Sequence, residues 1–200
     1  MKLEELRAKL GYQALLLGGV ALLTSAALAL ASRATGPDIA AAEAADLKAS
    51  LTQVLSVEYD NDLLKDTVTL PGADGEVLAW RARNKGKVEA VVYRVTGYGY
   101  SGAIVCVMGV SREGKILGVR VIKHAETPGL GDKITHEGFK KQFKGQNLKS
   151  ADWRVKKDGG DFDQITGATI SPRAVVGAVR KGLEFFGEHR QEIVSQEVQP

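Results

Sequence analysis

The strongest constraint on this chain lies near its start. Residues 12–32 carry no acidic or basic side chain and are rich in leucine and alanine. A helix over that stretch is long enough to cross the hydrocarbon core of a bilayer, which takes about 20 apolar residues. A soluble helix that is apolar on every side would have to be buried on every side, so the run is expected to be a transmembrane helix. Ala29-Leu30-Ala31 resembles a leader-processing pattern, but the apolar segment is longer than a typical leader core, and a retained anchor is the expectation. Lys2, Arg7 and Lys9 precede the span and only Arg33 follows closely. That asymmetry places the N-terminus in the cytoplasm and the rest of the chain on the far side. The span holds no charged residue that could relay a proton or bind an ion.

Beyond the span, Pro37 and Asp38 open an alanine-rich segment, residues 39–54, whose composition favours helix. Leu47, Leu51, Val54 and Leu55 make an apolar stripe that would dock on a following domain. Strand patterns appear at residues 77–82, 88–95, 103–110 and 116–122, separated by glycine-containing turns at Asn84-Lys85-Gly86-Lys87 and Arg112-Glu113-Gly114-Lys115. A short helix is expected at residues 136–143 and a further strand at residues 153–156. These elements predict an α+β fold, an antiparallel meander sheet with flanking helices plus the N-terminal transmembrane helix. The expected organisation is a cytoplasmic N-terminus at 1–11, the span at 12–32, a helical connector at 33–75, an extracytoplasmic domain at 76–192 and a tail at 193–200.

Several function classes are excluded. The 27 basic residues are interspersed with 24 acidic ones and form no block, which argues against nucleic acid as a partner. One cysteine, Cys106, permits no disulfide within the chain, and its apolar surroundings predict a buried, inert thiol. His124, Glu126, His136 and Glu137 show no metal-ligand spacing, so no metal is expected.

The richest chemistry sits in Asp163-Gln164-Ile165-Thr166-Gly167-Ala168-Thr169, followed by Ile170, Ser171 and Pro172. Gly167 and Ala168 leave the backbone open beside the hydroxyls of Thr166 and Thr169. Ser171 and Pro172 are suited to the N-cap and first position of a helix starting just after Thr169. Val175, Val176, Val179, Leu183 and Phe186 recur at helical spacing and fix that helix against a core. A helix N-terminus favours an anion, and no Walker lysine is present to suggest a nucleoside triphosphate. A phosphate carried on or beside Thr169 fits this arrangement.

The run Asp163-x-x-Thr166-Gly167-Ala168-Thr169 resembles the flavinylation motif of the FMN-binding domain family. With the upstream run His124-Ala125-Glu126-Thr127-Pro128-Gly129-Leu130-Gly131 and the single N-terminal span, the chain resembles the G subunits of Rnf (also called Rsx) ion-translocating electron-transport complexes. The resemblance implies FMN joined by a phosphoester to Thr169, installed by a separate flavin transferase that recognises Asp163, Thr166, Gly167 and Ala168. It implies a flavin pocket drawn from Glu126, Thr127, Gly129 and Leu130, with Tyr98, Tyr100, His124, Lys133 and Ser171 nearby. Lys133 and the Lys140-Lys141 pair are candidate phosphate partners. It further implies electron transfer within a ferredoxin:NAD oxidoreductase complex of membrane and soluble subunits, in which this chain is a carrier and not a catalyst alone. The setting would be a bacterial inner membrane with the domain in the periplasm.

Three other readings stand beside this one. The C subunit of a sodium-pumping quinone reductase shares the motif and the anchor. A self-contained extracytoplasmic flavin reductase would act on a small acceptor, although no additional substrate domain is visible. A scaffold subunit could retain the fold without flavin.

Overall fold

The computed structural model describes residues 10–73 and 75–195. The chain divides into two compact units, Met1–Asp46 and Leu47–Pro200. Helix α1, Leu10–Gln53, begins in the first and ends in the second. Within the first unit its leucines lie open to the surroundings, with Leu15 and Leu17 each more than three-quarters exposed. This is the surface that a lipid-facing helix presents. Lys2, Arg7 and Lys9 lie outside the described residues.

The sequence suggested a break near Pro37, but α1 runs through it without interruption. Proline removes one backbone bond and crowds the preceding turn. Exposed carbonyls there are open to solvation, and the alanines on the C-terminal side favour helix strongly enough to continue it.

The second unit is built on a five-stranded sheet in the order β1-β2-β3-β4-β5, antiparallel throughout. Its strands are β1 Thr67–Gly72, β2 Gly75–Asn84, β3 Lys87–Tyr98, β4 Ala103–Ser111 and β5 Ile116–Lys123. The meander and four of its strands follow the sequence pattern. Strand β1 was hidden in the expected connector because Pro71 cannot donate to a ladder; it is accommodated here because β1 is an edge strand. The β2–β3 hairpin turns on Lys85 at φ 50° and Gly86 at φ 79°, the paired positive angles that match the twist of the flanking strands.

Both sheet faces are covered. On one, Tyr93, Ile104, Cys106 and Met108 pack against Val175, Val176, Val179 and Leu183 of a long C-terminal helix. On the other, Trp80, Ala82, Val92 and Val107 receive Leu51, Val54 and Leu63. The cross-strand glycines Gly109 and Gly118 make room for Val54: a Cβ on Gly109 would stand 3.1 Å from its carbonyl carbon, and one on Gly118 3.1 Å from its Cα. The stripe expected to dock therefore does so, through Leu51 and Val54.

After β5 the chain forms 3-10 turns at Gly131–Thr135 and Lys141–Phe143 around a one-turn helix α2, Glu137–Lys140. The expected helix at 136–143 is thus broken into two short pieces, held by Phe139 and Phe143, whose rings meet edge-on at 5.6 Å. Residues 153–156 form no full strand: Val155 makes one parallel bridge to Phe162, while Trp153 and Phe162 pack at 4.7 Å. Local aromatic packing has replaced sheet pairing here. Helix α3, Ile170–Val194, closes the domain.

Candidate functional site

Helix α3 fixes the site. Its buried face anchors the helix, and Gly97 of β3 lets its backbone come close, since a Cβ there would lie 2.8 Å from the carbonyl carbon of Ala174. Tyr93 adds a second tie, donating its hydroxyl to the carbonyl of Gly182 at 2.7 Å. The position of the first turn is therefore set by the sheet.

Thr169 occupies the N-cap of α3, half-buried, and its side chain makes no capping bond. Its carbonyl accepts from the Arg173 amide at 3.3 Å. The turn before it is closed by the Ala168 amide donating to Ile165 at 3.0 Å, and Gly167 stands at φ 83°, where a side chain would be strained. Ser171, expected as the cap, lies instead inside the first turn and is buried. Pro172 is also within that turn, where its missing N–H has no intrahelical role.

Ser171 is drawn inward because its hydroxyl donates to the Glu126 carboxylate. The same carboxylate accepts from the amides of Ser101 at 3.0 Å and Tyr100 at 3.3 Å. The Glu126 amide in turn donates to Nδ1 of His124 at 3.3 Å. Burial opposes ionisation of Glu126, yet the hydrogen bonds from the Ser171 hydroxyl and the two amides outweigh it and hold the carboxyl below its ordinary value. Gly99 and Gly131 crowd this carboxylate: a Cβ on Gly131 would lie 2.7 Å from Ser171 Oγ and 2.8 Å from Glu126 Oε2.

The structure thus joins the loop after β3, the loop after β5 and the start of α3. Around that junction Thr127, Gly129, Leu130, Thr166 and Gly167 are exposed, and Leu130 Cδ2 lies 3.6 Å from where a Gly167 side chain would begin. Tyr98 and Tyr100 are largely exposed, at 78% and 75%. Lys133 is exposed and its side chain makes no bond among the described residues. Lys140, by contrast, is committed to Glu137 at 2.5 Å.

Asp163 is not free either. Lys156 Nζ reaches its carboxylate at 2.5 Å, and its amide donates to Gln142 Oε1 at 2.7 Å. Arg173 makes a two-pronged pair with Asp158, both contacts at 2.6 Å, which ties the first turn of α3 to the preceding loop. Sequence reasoning missed Lys156, Gln142, Asp158 and Arg173, because no periodicity or motif marks pairs formed between loops. Cys106 is fully buried, as its apolar surroundings predicted, and burial pushes its pKa up to about 12.

Residues 99–184, which contain the loop after β3, the loop after β5 and the Thr169 turn, match the FMN-binding domain family. The G subunit of the ion-translocating oxidoreductase complex of Cereibacter sphaeroides is 50% identical over 188 residues, covering 90% of this chain and 86% of that protein. The chain belongs to this family of G subunits. The G subunit of Stutzerimonas stutzeri is 43% identical over 204 residues, covering 98% of this chain and 90% of its own. The crystal structure of Shewanella oneidensis NqrC shares the fold, with a TM-score of 0.51 at 24% identity, covering 67% of this chain and 74% of that one.

The G-subunit family and the FMN-binding domain fit the described residues. A hydroxyl not used for capping stands at the start of a long helix, beside a glycine turn and an exposed apolar residue, Leu130. That donor set suits a ligand with an anionic phosphate and a large planar ring.

Proposed function

We propose that this chain is the membrane-anchored electron carrier of an ion-translocating oxidoreductase complex of the Rnf type, with FMN joined through its phosphate to Thr169. The observation that carries the reading is the Thr169 hydroxyl itself: half-buried, outside any capping bond, and held at the helix start. In attachment, that oxygen loses its proton and forms the new bond to the FMN phosphorus. The phosphoanhydride bond of FAD breaks and AMP leaves, with a flavin transferase supplying the catalysis. Thr166, Gly167, Ala168 and Asp163 are the surface it would recognise, and the Lys156 pair fixes how Asp163 is presented.

The helix N-terminus favours the phosphate electrostatically, and exposed Lys133, in the stretch after β5, is a candidate cation for it. Thr127, Gly129, Leu130, Tyr98 and Tyr100 would border the ring. Glu126, His124 and Ser171 would shape that border from beneath, because the Glu126 carboxylate and the Ser171 hydroxyl face one another in the interior. FMN supplies the redox chemistry, while the protein sets its place and surroundings. A covalent bond keeps the cofactor on a carrier outside the cytoplasm, where a dissociable one would be diluted.

The basic residues before the span orient the N-terminus to the cytoplasm and the domain to the periplasm. With no charged side chain between residues 12 and 32, ion translocation would fall to partner subunits. Intact mass and peptide mapping across residues 163–173, on chain purified from membranes of cells holding the transferase, tests the attachment. The expected result is one FMN less one water on Thr169, lost in Thr169→Ala. An unmodified Thr169 in such cells would overturn the proposal and favour a scaffold subunit.

A further inference from the structure

Glu126 is a buried carboxylate, only 5% exposed, and the redox chemistry proposed above gives it no task. Its oxygens take three donors from two separate segments: the amides of Tyr100 and Ser101 and the hydroxyl of Ser171. Such convergence calls for an acceptor-only group. An amide in its place would turn an N–H₂ toward at least one donor. The space is also reserved, since a side chain on Gly131 would meet both Ser171 and Glu126, and one on Gly99 would lie 2.9 Å from the Glu126 carboxyl carbon.

What the carboxylate holds is the first turn of α3. Ser171 is two residues beyond Thr169, and Arg173, whose amide bonds the Thr169 carbonyl, is pinned from the outside by Asp158. The turn is clamped on an inner flank by Glu126 and on an outer flank by Asp158. The same carboxylate also fixes the backbone of Tyr100 and Ser101, next to the exposed tyrosines.

We infer that Glu126 is a positioning residue for flavin attachment, acting through Ser171 to aim the Thr169 hydroxyl and through the Tyr100 and Ser101 amides to set the facing loop; this rests on the attachment reading above. Placement errors near one ångström cost a reacting centre up to about a hundredfold in rate.

The test uses the full anchored chain with the flavin transferase and FAD, comparing wild type, Glu126→Gln, Ser171→Ala and the double variant by the initial rate of FMN incorporation. Each single variant is expected to slow loading about tenfold to a hundredfold, and the double variant no further than the slower single. Wild-type rates in the singles, or effects that multiply in the double, would overturn the inference. Should Glu126→Gln lose its cooperative melt, Ser171→Ala, which keeps the carboxylate and its amide bonds, carries the rate comparison. A second measurement needs no flavin. In the unloaded chain, Glu126→Gln should raise hydrogen exchange of the Tyr100 and Ser101 amides about tenfold while leaving β4 unchanged. Unchanged exchange at those two amides overturns the inference by itself. A wild-type chain without FMN on Thr169 would refute the attachment reading separately, and the exchange result would still decide whether Glu126 holds the loop.

Discussion

Replacing Gly97 by alanine probes the contact that seats α3 on the sheet. The new Cβ would lie 2.8 Å from the Ala174 carbonyl carbon and 3.3 Å from Ala178 Cβ, with the Ala174 oxygen nearer still. Opening 2.8 Å to an ordinary 3.4 Å contact already takes about 0.6 Å of backbone movement, the nearer Ala174 oxygen demands more, and no side-chain rotation can substitute for it. Overpacking of this kind costs about 1–3 kcal/mol. The lower backbone entropy of alanine in the unfolded chain returns about 0.5–1 kcal/mol. The nearer Ala174 oxygen puts the cost at the upper end of that range, and the net loss of about 2–2.5 kcal/mol lowers Tm by roughly 4–10 °C for a domain of this size. Thermal melts of the detergent-solubilised chain measure it. Gly177→Ala on the same helix is the control: nothing lies within 4 Å of its Cβ, and it should stabilise by about 0.5–1 kcal/mol. A Gly97→Ala chain as stable as wild type would refute the close approach of α3.

Asp66 is buried between Arg81 at 2.6 Å and Arg83 at 2.5 Å, so Asp66→Ala breaks a buried ion-paired group by removing its carboxylate and should cost about 3–5 kcal/mol in denaturant unfolding. The Glu126 carboxyl is held below its ordinary value, so its contribution to stability is complete above the unfolded-state pKa. That contribution is lost as pH falls through the lower folded value. Stability–pH curves for wild type and Glu126→Gln should therefore converge in acid, and parallel curves would contradict the assignment. Cys106 should resist alkylation in the folded chain and react fully after denaturation, as mass spectrometry would show.

The family and the meander were legible because each depends on local signals. The uncharged run, the strand alternation, the Lys85-Gly86 turn and the spacing of Val175, Val176, Val179 and Leu183 are short-range patterns set by backbone periodicity. Strand β1 was not legible, since Pro71 disguises an edge strand whose existence depends on its partner β2. The continuity of α1 through Pro37 and the break-up of residues 136–158 into turns were likewise decided by surroundings and packing, not by propensity.

By itself, the sequence determined a chain with one apolar span, an α+β domain and a threonine presented at a helix start. Tertiary structure alone decided how that threonine is held. Glu126 and Ser171 lie 45 positions apart, and Arg173 and Asp158 belong to different segments. Nothing in a local pattern predicts which buried carboxylate will meet which hydroxyl. That choice follows from where the sheet places its loops, and from the high cost of leaving a polar group in the interior without a partner.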